Sequence, residues 1–80
     1  MTPEEYYAMH QKAFRCAFDF LNKHFPPGQD SAWWEQAAQD VAVASATQGE
    51  NRLAVHLLAG VYEYLDDERE RRKKNGETDH

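Results

Sequence analysis

Two short interruptions decide what this chain can become. Pro26-Pro27-Gly28 and Gly49-Glu50-Asn51 cut its 80 residues into three segments, each repeating apolar residues at spacings of three and four. A residue ahead of proline is pushed out of the helical region. A glycine just past a periodic run supplies the left-handed residue that closes a helix. The pattern predicts helices over 3–24, 31–48 and 51–74 in one domain spanning 1–76, with a frayed tail at 77–80. β-Branched residues are few and nowhere alternate with polar ones, so no strand is expected. Three such helices on short turns give an all-α, antiparallel up-down-up three-helix bundle with an extended C-terminal helix.

The first helix carries its own start signal. Thr2 suits the N-cap, Pro3 the first helical position, and Glu5 completes a capping box. Two apolar stripes follow. Tyr7, His10, Phe14, Ala17, Phe18, Leu21 and Phe25 form one, and Met9, Ala13, Cys16 and Phe20 form the other beside it. Together they cover roughly half the circumference at about 100° per residue, which is wide enough to touch two neighbours. The second helix, capped by Asp30 or Ser31, turns Trp34, Ala37, Val41, Ala44 and Ser45 inward, with Trp33 and Ala38 flanking. The third carries Leu53, Ala54, Leu57, Leu58, Val61, Tyr64 and Leu65 on one face. It then runs into Asp66–Lys74, where acid precedes base by four at Asp67–Arg71, Glu68–Arg72 and Glu70–Lys74. This end is expected to project beyond the core for two turns and stop near Asn75-Gly76.

Charge narrows the partners. A formal charge of −5 opposes binding to nucleic acid or to an anionic membrane. Asp66–Lys74 does not change this, because its five bases are interleaved with four acids. No apolar run approaches the roughly 20 residues needed to cross a bilayer, and the opening Met1-Thr2-Pro3-Glu4-Glu5 is not a secretion signal. A single cysteine, Cys16, cannot form an internal disulfide, which points to the cytoplasm.

Chemistry-bearing groups are present but not assembled. His56 faces outward on the third helix, as a phosphoacceptor histidine would, yet Leu53-Ala54-Val55-His56-Leu57-Leu58 offers no cation near it to hold a phosphoryl group. Cys16 and His24 stand eight residues apart, about 12 Å along a helix, too far to share a metal with His10. Glu4-Glu5 and Asp66-Asp67 are adjacent pairs, which diverge by about 100° on a helix rather than converge on a substrate. Ser31 and Ser45 have no acid–base partner by spacing. No catalytic residue, metal, cofactor or small-molecule substrate is therefore expected, and the chain reads as a non-enzyme.

Aromatic residues are the informative excess. Ten of the 80 are Phe, Trp or Tyr, several adjacent: Tyr6-Tyr7, Trp33-Trp34, and Tyr62 near Tyr64. Neighbours on a helix cannot both face one core, and Trp and Tyr dominate binding hot spots. Three helices are not expected to cover both stripes of the first helix. The second stripe and the tryptophan edge are therefore the expected partner surface, with Met9, Cys16, Phe20, Trp33 and Tyr62 as its residues. The leading expectation is a protein-interaction module that binds another protein or forms a homodimer. The alternative is a small acidic inhibitor docking on a basic protein surface. In length, acidity and lack of motifs, the chain is similar to short proteins carried by bacterial prophages and other mobile elements.

Overall fold

Side-chain oxygens define where the three helices begin. In the computed structural model, which describes residues 1–74, Thr2 Oγ1 accepts from the Glu5 amide at 3.2 Å and Glu5 Oε1 accepts from the Thr2 amide at 3.0 Å. Hydrogen bonding by the Thr2 amide, and after it by the Thr2 side chain, holds the Glu5 carboxyl below its ordinary range. Helix α1 then runs Pro3–His24. Asp30 caps α2, Ser31–Thr47, its Oδ1 accepting from the Trp33 amide at 2.8 Å. Gly49 adopts φ +63°, the left-handed turn expected of it, and is followed by α3, Arg52–Lys74. Asn51 precedes α3 rather than belonging to it, because its Oδ1 accepts from the Ala54 amide at 3.4 Å.

The described residues are 84% helical and contain no strand, and the three helices form an all-α bundle. Contacts across it set the directions. Asn51, at the start of α3, donates from Nδ2 to the Met9 carbonyl near the start of α1, at 2.9 Å. Phe25, just past the end of α1, stacks on Tyr64 of α3. Thus α1 and α3 run parallel, and α2 returns between their ends. The helix end expected at Asn75-Gly76 and the tail at 77–80 lie outside the described residues.

Phe20, Trp34, Leu58 and Leu65 form the core, one large residue from each of the first two helices and two from the third. Small residues bring the helices together around them: Ala13, Ala17 and Ala54 are buried, and Ala37 does the same on α2. Helix α3 contacts α1 most extensively and α2 less, while α1 and α2 meet least. Large rings on the inner line of α1 would hold α3 away from it. Alanines at 13 and 17 let the backbones approach closely enough for Asn51 to reach across.

The charged end of α3 extends past Leu65 but is held onto the bundle. The Arg69 guanidinium lies 4.6 Å from the Trp34 ring centroid and pairs with Asp66 at 2.5 Å, and Arg72 lies 5.3 Å above Phe25. Glu68–Arg72, one of the expected pairs, forms at 3.9 Å. Arginine serves here as a planar cover for aromatic rings, with both cation–π attraction and apolar contact.

Candidate functional site

Burial along α1 departs from expectation in both of its stripes. Phe20, assigned to a partner surface, is only 5% exposed and sits in the core cluster, and Cys16 packs against that cluster half-buried. Trp33 and Tyr62 also pack against it: Trp34 meets Trp33 edge-on at 4.7 Å and Tyr62 at 5.3 Å. Met9 is half-buried, with its carbonyl tied to Asn51. Four of the five expected docking residues thus hold the bundle together, and the fifth borders its α1–α3 tie. Tyr7, Phe14 and Phe18, expected inside, are 71%, 60% and 59% exposed.

Two polar ties account for this rotation of α1. His24 Nε2 lies 2.8 Å from Asp40 Oδ2 and Nδ1 lies 2.8 Å from the Phe20 carbonyl, which turns the His24 side of α1 toward α2. The His24 ring stacks on Phe20 at 4.0 Å, so the same contact seats the phenyl ring inward. At the other end, the Asn51 bond to Met9 turns that side toward α3. Apolar pattern alone gives two acceptable faces; these hydrogen bonds select one.

What remains outside is a line of exposed rings. Tyr7, Phe14 and Phe18 run along α1, with Phe25 beyond its end and Tyr64 of α3 stacked beside Phe25. With Gln11 and the half-buried Leu21 included, the spacing from Tyr7 to Phe25 is four, three, four, three, four. That is the seam spacing of a coiled coil. Beside it lies a shallow depression of about 490 Å³ whose lining includes Gln11, Phe14, Arg15 and Phe18. The stripe to which these rings belong was expected inside, and the second stripe outside, because three helices were not expected to cover both. The buried line draws on both stripes, with Ala17 of the first and Ala13 and Phe20 of the second.

A second concavity opens where α1 and α2 part. It measures about 620 Å³, with Cys16, Phe20, Val43 and Ala44 among its apolar lining and Lys12, Arg15 and Lys23 among its polar residues. Burial, and secondarily Asp19, push the Cys16 thiol up from its ordinary pKa, so it is a poor source of thiolate. His24 and Asp40 in this groove are spent on each other. The Asp40 carboxyl is held below its ordinary range, first by the His24 hydrogen bond and then by that of Gln36. Among the described residues, no group of three or more His, Cys, Asp or Glu could hold a metal ion. His10 and His56 are both exposed, and His24 is engaged between helices.

No protein family, curated protein or solved structure matches this chain. Among the described residues, no helix is long and apolar enough to cross a membrane.

Proposed function

We propose that this chain is a non-enzymatic protein-interaction module that docks through the outer face of α1. The observation that carries this reading is the exposure of Tyr7, Phe14 and Phe18 on one straight line of that helix. Small folded chains rarely leave a contiguous apolar patch of several hundred Å² in water unless it meets a partner. Rings are also the residues that contribute most binding energy per residue.

An acidic inhibitor draws support from the net charge of −5. Several of its acids, however, already have internal partners: Asp19 with Arg15, Asp40 with His24, Asp66 with Arg69 and Glu68 with Arg72. Apolar docking makes fuller use of what this surface offers.

The test is a photo-reactive benzoylphenylalanine placed at position 14 in the expressing cell. Irradiation should give a discrete protein adduct, while the same group at exposed Val43 on α2 should give none. Absence of any adduct at position 14 overturns the reading.

A further inference from the structure

We infer that the partner on this face is a second copy of the chain, paired α1 against α1 in antiparallel orientation about a two-fold axis near Phe14. The inference rests on the interaction reading above and adds the identity and direction of the partner.

Charge is the first argument. The six seam positions Tyr7, Gln11, Phe14, Phe18, Leu21 and Phe25 include no charged residue, in a chain of net charge −5. The seam line itself sets no charge against a copy, and Arg15 on its flank is paired with Asp19 at 3.4 Å. The ends of the seam then choose the direction. Glu4 lies in the first turn of α1, while Arg72 sits over Phe25 at the other end. Antiparallel pairing sets the acidic start of each helix beside the basic end of the other, twice over, and opposes the helix dipoles.

Shape is the second. In coiled-coil contacts each knob enters a hole made by residues i, i+3, i+4 and i+7 of the facing helix. Gln11, Phe14, Arg15 and Phe18 have that relation, and they line the depression on the outer side of α1. With the axis near Phe14, the ring of Phe14 in each chain enters this hole in the other.

Area is the third. The exposed parts of Tyr7, Phe14, Phe18, Phe25 and Tyr64 amount to roughly 550 Å² per chain, taking about 200 Å² for each ring residue. A standard-size interface buries about 800 Å² per partner. The face therefore falls below a standard interface and suits a small reversible dimer.

Light scattering of the full chain over a wide dilution series tests the pairing. The expected result is twice the 9.3 kDa chain mass at high concentration, falling toward one chain on dilution. Phe14→Glu with Phe18→Glu should raise the dissociation constant roughly a hundredfold or more with the helical circular dichroism intact, and Val43→Glu should leave it unchanged. Direction is read in a Cys16→Ser background by oxidation. Arg15→Cys should cross-link to itself, and Ala8→Cys should cross-link to Asn22→Cys but not to itself. A monomer at every concentration overturns self-pairing, as does equal weakening by Val43→Glu; self-linking of Ala8→Cys overturns the antiparallel direction. If the chain is monomeric while position 14 still gives a photo-adduct with another protein, self-pairing fails and the interaction reading stands. If position 14 gives no adduct, both fail.

Discussion

His24 ties α1 to α2 by setting Nε2 2.8 Å from Asp40 Oδ2 while Nδ1 meets the Phe20 carbonyl at the same distance. Both ring nitrogens face oxygen acceptors, so only the doubly protonated ring donates in both directions. The neutral ring satisfies one contact and leaves the other between lone pairs. This tie bridges the two helices that otherwise touch least.

Asp40→Asn should lower the melting temperature by a few degrees near neutral pH and by nothing in strong acid. The Asp40 carboxyl is held low by the His24 hydrogen bond, with Gln36 adding to it. A carboxyl depressed on folding contributes stability that is complete above its unfolded value of about 3.9 and is lost as pH falls through the folded value. Because Asp40 is partly exposed, the contribution is on the scale of a surface pair, about 0.5–1 kcal/mol. Thermal melts of both chains between acid and neutral pH should converge at the acid end. Parallel curves with a constant offset would place the effect elsewhere than in the charge.

Helix boundaries were legible because they are set locally. The Thr2–Glu5 box, the Pro26-Pro27-Gly28 break and the left-handed Gly49 each act within a few residues. The rotation of α1 was not, because its two stripes satisfy helical periodicity equally well. The choice depends on His24 meeting Asp40 and Asn51 meeting Met9, pairs separated by 16 and 42 residues. The same distance effect hid Arg69, whose ring partner Trp34 lies on another helix. An excess of exposed rings was therefore foreseeable from composition, while the line of α1 that exposes them was not.

Gly28→Ala should destabilise the fold through Trp33. A Cβ at position 28 would collide with Trp33 Cγ and stand 2.7 Å from Cδ1, inside contact distance. Relief requires the indole or the turn to move, and the turn also supplies the Gly28 carbonyl that accepts from Trp34 Nε1 at 2.9 Å. Overpacking of this kind costs about 1–3 kcal/mol. Urea unfolding followed by tryptophan fluorescence measures it, and a shifted native emission spectrum would report the displaced rings. An unchanged midpoint would mean that the turn absorbs the methyl without strain.

Asn51→Ala should cost about 1–3 kcal/mol, because one buried side chain caps α3 and fastens it to α1. Asn51→Asp separates the two roles. It keeps an oxygen for the Ala54 amide but replaces the donor to the Met9 carbonyl with a second acceptor. Asp should therefore rescue little of the loss, whereas a purely capping role predicts nearly full rescue. Chemical denaturation of the three chains under one condition decides between them.

Phe18→Ala and Phe20→Ala should differ sharply although the residues are two apart in one helix. Phe20 contacts the core cluster and stacks on His24, so its truncation opens a cavity and costs about 3–5 kcal/mol. That is a large share of the roughly 5–15 kcal/mol by which folded domains are stable, and the variant should be partly unfolded at 37 °C. Phe18 is 59% exposed, so within one chain its removal should change stability by no more than about 0.5 kcal/mol. Dilute samples must be used, since pairing of two chains would add its own stabilisation at high concentration. Under those conditions a similar loss for both variants would mean that Phe18 is packed within the monomer, and the aromatic face would cease to be a free surface.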